Sequence, residues 1–92
     1  MGNIESEFVW DERKEAINIQ KHGVNFMTAI KAFADIHRKI YLDEKHSEAE
    51  ERLICLGKVE ERVLTVRFVY REGKIRIVGA GFWRKGGRFY EV

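Results

Sequence analysis

Apolar residues at Phe26, Ala29, Ile30 and Phe33 keep the i, i+3, i+4, i+7 rhythm of a helix with one buried face. Asn25 stands just before this stretch, where its side chain can accept from the helix's orphan amides. Upstream, Asp11 is placed to cap a helix beginning at Glu12. Gly23 falls where such a helix must end in a left-handed residue, and Lys21 and His22 sit at the negative end of its dipole. The pattern therefore predicts two short helices joined by a tight turn.

Beyond Phe33 the period changes from helical to two. Between Arg38 and Asp43, Ile40 and Leu42 alternate with Lys39 and Tyr41, as in a short half-buried strand. Residues 44–50 are polar and loop-like. Arg52 to Gly57 is apolar on both faces and predicts a central strand, with a turn over residues 57–61. From Arg62 to Tyr70, Leu64, Val66 and Phe68 share one face, and Val63, Thr65, Arg67 and Val69 the other. A two-residue hairpin loop at Glu72-Gly73 would pair Arg71 with Lys74, Tyr70 with Ile75, Val69 with Arg76 and Phe68 with Ile77. That register puts Arg67 and Arg76 on the face opposite Phe68 and Ile77. Phe8 to Trp10 can add an edge strand.

The expected fold is α+β: two N-terminal helices packed on a roughly four-stranded antiparallel sheet, with arginines on the other face. Residues 79–90 hold too many glycines to predict a helix. Residues 1–7 read as a disordered tail and 8–92 as one domain.

Composition sharpens this picture in three places. The chain of 92 residues has one cysteine, Cys55, between Ile54 and Leu56, which suits a buried strand position and gives neither a disulfide nor metal-ligand spacing. No apolar run reaches membrane-spanning length and no secretory signal is visible, so a cytoplasmic protein is expected. Met1-Gly2 with Ser6 fits the short acylation pattern only formally. The net charge of +2 conceals an imbalance: residues 62–92 carry eight Lys/Arg against two Asp/Glu, whereas residues 1–61 are net acidic. A basic C-terminal third offers a face to polyanions, the alternative being a solvated strand surface.

No phosphate-binding glycine loop, paired-cysteine site or nucleophile elbow is present, and no cofactor or metal is expected. His22 is explained by helix termination, and His37 has no distinguishing context. His46 lies in a loop among carboxylates that can orient its ring. The more specific set is Arg67 and Arg76 on one sheet face, followed by Arg84, Lys85 and Arg88, with Tyr90 near the end. Arginine forks hold phosphates bidentately, and Trp83 and Phe82 can stack unpaired bases. Such a face can cleave RNA without a metal. The 2′-hydroxyl attacks the adjacent phosphate when it is held in line and the developing charge is neutralised. Arg67 and Arg76 are the candidates for that charge, with Lys85 or Arg84 assisting. His46 or Glu51 is the candidate for proton transfer, and Tyr90 for stacking or acid catalysis. Arg62, Arg71, Trp83, Arg84 and Arg88 are candidate RNA-binding residues. The alternatives are a basic binding module that docks RNA or an acidic partner without cleaving it, and a structural partner in a repressor complex.

Trp10-Asp11-Glu12, Asn18, Lys21-His22-Gly23-Val24, Phe26, Asp43, His46-Ser47, Glu51-Arg52, Gly57, Arg62-Val63-Leu64, Arg76-Ile77 and Tyr90-Glu91 together resemble the BrnT family of toxins. The resemblance runs from about residue 8 to 91. It implies a bacterial type II toxin–antitoxin system whose toxin has a RelE-like fold and halts translation by cleaving RNA. It also implies a BrnA-like antitoxin that neutralises the toxin, in a complex that reaches DNA only through the antitoxin and can assemble further. One stretch departs from the family pattern. Where many members carry Arg-Ile-Ile-Ser-Ala-Arg and then a charged helix, this chain has Arg76-Ile77-Val78-Gly79-Ala80-Gly81 and then Gly86-Gly87.

Overall fold

The computed structural model describes residues 7–91, so all of the expected N-terminal tail except Glu7 lies outside the described residues. The chain runs β1 (Phe8–Trp10), α1 (Glu12–His22), α2 (Phe26–Ala32), β2 (Lys39–Leu42), a single 3₁₀ turn (Glu44–His46), β3 (Arg52–Val59), β4 (Arg62–Arg71), β5 (Lys74–Gly81) and α3 (Arg84–Tyr90). The five strands form one sheet in the order β1-β5-β4-β3-β2.

The helix pair forms as its caps dictate. Asp11 accepts from the amides of Arg13 and Lys14, Gly23 takes the left-handed conformation (φ 70°), and Asn25 accepts from Thr28. Phe26, Ala29 and Ile30 are buried against the sheet with Leu64, Val66, Phe68 and Ile77, and Phe33 packs at their margin. Gly57 permits this closeness, since a Cβ there would run into the backbone of Ala32. Cys55 is buried in the same core, and desolvation pushes its thiol up to about 12.

The Glu72-Gly73 hairpin has the register its sequence implies, from Arg71 opposite Lys74 to Phe68 opposite Ile77. Past that point β5 has one extra residue: Phe68 faces Ile77, but Arg67 faces Gly79, so Val78 forms a bulge. Arg76 precedes the bulge and keeps its expected face, with Arg67 alongside.

Two features correct the expected architecture. The sheet has five strands and is mixed, because β1 pairs with the edge of β5 in parallel, Phe8 opposite Ile75 and Trp10 opposite Ile77. Alternation marks a strand but not its direction, and the two helices together with β2–β4 form the long connection that a parallel pair requires. The second correction is α3, which forms despite Gly86 and Gly87 and covers part of the face opposite α1 and α2. A side chain at Gly86 would collide with Thr65 Oγ1 and crowd Leu56, so the glycine lets the helix sit directly on the sheet. At its other end, the carbonyl of Phe89 accepts from Lys39 Nζ (3.4 Å) and the Tyr41 hydroxyl (3.3 Å). Tertiary packing outweighs the helix propensity of glycine here.

The turn between β3 and β4 is tighter than expected. Glu60 and Glu61 form its two-residue loop with φ of 49° and 70°, the left-handed pair that normally selects Asn-Gly. Each glutamate costs about 1 kcal/mol or more there. Replacing Glu60→Asn together with Glu61→Gly is expected to raise the thermal midpoint by roughly 5–10 °C. A midpoint that stays or falls would count against a strained loop.

Candidate functional site

Strand pairing lays the open face out in rows. Tyr41, Ile54, Arg67 and Gly79 form one row, and Arg52, Val69 and Arg76 the next. Three arginines from three strands thus surround Val69 on one face, with adjacent strands about 4.8 Å apart and successive rows about 7 Å apart. Arg52 is the member that sequence reasoning missed. Its strand reads as apolar on both faces, and only the pairing with β4 shows that it shares the row of Arg76.

The second row extends towards β2 through Asp43, whose amide donates to the carbonyl of Arg52 (2.8 Å). His46 Nδ1 lies 2.9 Å from Asp43 Oδ2, so a carboxylate holds an exposed imidazole beside the arginine row. Ser47 fixes the loop: its hydroxyl donates to the Asp43 carbonyl (2.6 Å) and accepts from the Arg52 amide (2.9 Å). The spacing of His46-Ser47 and Arg52 acquires a physical meaning here, because one hydroxyl ties the histidine's loop to the arginine's strand.

Arg67 is the centre of the arrangement. Its guanidinium lies 5.2 Å from the centroid of the Trp83 ring and has no hydrogen-bond partner among the described residues. The indole also meets the His22 ring in an edge-type contact, centroids 4.9 Å apart. Gly81 makes room for this indole, since a Cβ there would lie 2.6 Å from Trp83 Cζ2. The space that a side chain at position 81 would take is thus filled by the Trp83 ring. Arg67 and Trp83 line two clefts at once. One, of ≈ 670 Å³, lies between α3 and the sheet, and Lys85 is at its rim. The other, of ≈ 260 Å³, faces α1 with Lys14, Lys21 and His22. At the floor of the larger cleft, Thr65 Oγ1 is buried under α3 with no hydrogen-bond partner.

The remaining candidates lie elsewhere or are engaged. Arg71 is held bidentately by Glu50 (2.9 and 2.6 Å), which lowers the pKa of Glu50 and raises that of the guanidinium. Arg62 stacks over Phe82 at 4.2 Å, five residues and about 17 Å along β4 from Arg67. Arg84 and Arg88 are exposed on α3, and Glu51 is exposed beside Arg52. The Tyr90 hydroxyl donates to Asp35 Oδ2 (2.5 Å), which also accepts from the Lys58 amide (2.7 Å), four residues along β3 from the row of Arg67. The structure therefore brings together Arg67, Arg76, Trp83, Lys85 and His46's loop, but not Arg62, Arg71 or Tyr90.

Hydrogen bonds from Tyr90 and from the Lys58 and His37 amides lower Asp35 from 3.8 to about 2, and Tyr90 is raised in turn. A carboxylate depressed in the folded state stabilises the fold above its unfolded pKa, and this is lost as the pH falls through the folded one. The thermal midpoint is therefore expected to fall more steeply between pH 3.8 and about 2 in the native chain than in Asp35→Asn. Parallel pH profiles would show that the Tyr90–Asp35 bond does not anchor α3.

Among the described residues, no helix is long and apolar enough to cross a membrane, and no group of three or more His, Cys, Asp or Glu side chains is placed to hold a metal ion. A comparison with curated proteins finds no match. Residues 10–86 match the model of the family described as "Ribonuclease toxin, BrnT, of type II toxin-antitoxin system". With most of its length matched, the chain belongs to the BrnT family of ribonuclease toxins of type II toxin–antitoxin systems.

Proposed function

We propose that the chain is an endoribonuclease toxin that cleaves RNA by transesterification, with guanidinium groups rather than a metal ion supplying the positive charge. The observation that carries this reading is Arg67: a guanidinium with no hydrogen-bond partner among the described residues, held over Trp83 in the row next to Arg52 and Arg76. The 2′-hydroxyl oxygen forms a bond to the adjacent phosphorus, and the P–O5′ bond breaks, the departing 5′-oxygen taking its proton from solvent water. The products are a 2′,3′-cyclic phosphate and a 5′-hydroxyl. Arg67 and Arg76 hold the non-bridging oxygens, where charge accumulates in the transition state, and Arg52 and Lys85 add to the field. His46, oriented by Asp43, takes the proton of the 2′-hydroxyl. Glu51 is next in line for that role.

In the cell this activity would halt translation in the cytoplasm, with a BrnA-like antitoxin neutralising it and carrying the complex to DNA. Two helices ahead of the antiparallel strands β2–β5 accord with a RelE-like fold. A second reading, a basic module that binds without cleaving, is favoured by one observation: the Trp83 ring occupies the space beside Gly81 where the family pattern has an arginine. Induced expression in bacteria separates the two. Growth arrest with RNA fragments, relieved by co-expressing the neighbouring reading frame and lost in Arg76→Ala, is the expected result. Normal growth and intact RNA, with tight binding to the neighbour's product, would leave the second reading.

A further inference from the structure

The larger cleft has walls that phosphate binding alone does not require. Its sides are the rings of Tyr41, Trp83 and Phe89 and its floor is Ile54 and Leu56, so it is almost wholly apolar. Phe89 remains 49% exposed and Tyr41 39%, with their ring centroids 6.0 Å apart. Its volume of ≈ 670 Å³ falls within the range of roughly 300–1,000 Å³ typical of small-ligand sites. Cations stand at its openings: Lys85 at the rim and Arg67 at the wall shared with the smaller cleft, where Lys14 and Lys21 follow. An apolar slot between aromatic rings, bounded by phosphate-binding cations, matches an unstacked nucleobase on a single strand.

We propose that this cleft is a nucleobase pocket: one base of a single-stranded RNA inserts between α3 and the sheet, its phosphodiester lies on Arg67, and the next phosphate reaches Lys14 and Lys21. The proposal rests on the ribonuclease reading and adds to it the subsite that selects and anchors the strand. Charge complementarity favours this occupant over an apolar peptide, since the exits from both clefts carry lysine or arginine. Base stacking is sequence-tolerant, so the pocket grips strands by being single-stranded more than by their sequence.

The test measures binding of a labelled DNA hexamer, which lacks the 2′-hydroxyl and so survives contact with the protein, against an abasic hexamer of equal charge. Fluorescence anisotropy gives the affinities. The base-bearing hexamer is expected to bind about tenfold or more tightly than the abasic one, the order expected of one stacked base. Phe89→Ala should remove most of that difference while leaving the abasic affinity unchanged, and Phe89→Trp should restore it. Because Phe89 is half exposed, these variants are expected to fold, and circular dichroism checks that they do. Equal affinity for the two hexamers overturns the pocket, even if the native chain cleaves RNA. Discrimination without any RNA cleavage keeps the pocket and overturns the ribonuclease reading. If Phe89→Ala loses the neighbouring gene's product but not the hexamer, the cleft belongs to a protein partner and the proposal fails.

Discussion

Arg67→Ala is expected to lower RNA cleavage by about 10²–10³-fold, the usual loss when one positioned transition-state donor is removed. The effect follows from what this side chain leaves unused. Arg71 is already neutralised by Glu50 and Arg62 is stacked far along the strand, whereas Arg67 makes no hydrogen bond among the described residues. Its stem is half-buried and its guanidinium rests on Trp83, so its donors are aimed before any ligand arrives. Arg67→Lys keeps the charge but loses the planar fork, and should recover only part of the rate. The change belongs in kcat more than in KM if the contact tightens as charge develops. Cleavage by Arg67→Ala within about threefold of the native rate, with the fold intact by circular dichroism, would remove Arg67 from the reaction.

The largest structural effect is expected from Asn18→Ala. Asn18 is the one buried residue of α1, yet it is polar. β1 covers β5 only from Ile75 to Ile77, leaving the edge beyond the bulge without a strand partner. Asn18 takes the place of that strand. Its Oδ1 accepts from the Ala80 amide (3.1 Å), and its Nδ2 donates to the carbonyls of Ala80 and Val24 (2.9 Å each). One side chain thus joins α1, the helix turn and the sheet edge. Truncation strands three buried backbone groups, each costing about 1–3 kcal/mol when unmade. The total, about 3–5 kcal/mol, is a large part of the stability of a small domain and should lower the thermal midpoint by at least about 12 °C. Asn18→Asp should also destabilise, because a carboxylate would face two carbonyls. A fall of less than about 4 °C in Asn18→Ala would mean that water replaces the amide.

What the chain shows in advance depends on how local the cause is. Asp11, Gly23 and Asn25 act within one helical turn, and Glu72-Gly73 sets the register of its own hairpin, so all four are legible in the sequence. The parallel pairing of β1 is not, since it joins segments more than sixty residues apart. Nor is α3, whose glycines oppose a helix locally and favour it once β4 lies beneath Gly86. The Glu60-Glu61 loop escapes for a related reason: glutamate does not advertise a left-handed turn. At the candidate site, Arg67 and Arg76 are readable from alternation. Arg52 and the Asp43–His46 pair need the third strand, and the role of Trp83 needs Gly81 in three dimensions.

In the proposed reaction, guanidinium groups on this sheet face let a neighbouring 2′-hydroxyl cleave RNA. The most direct measurement incubates the purified chain with a defined single-stranded RNA in excess chelator, with and without ribosomes, and identifies the new ends. Fragments ending in a 2′,3′-cyclic phosphate and a 5′-hydroxyl are expected, with no cleavage at a site whose 2′-hydroxyl has been replaced by hydrogen. Intact RNA under both conditions, or cleavage that persists at the 2′-deoxy site, would contradict it.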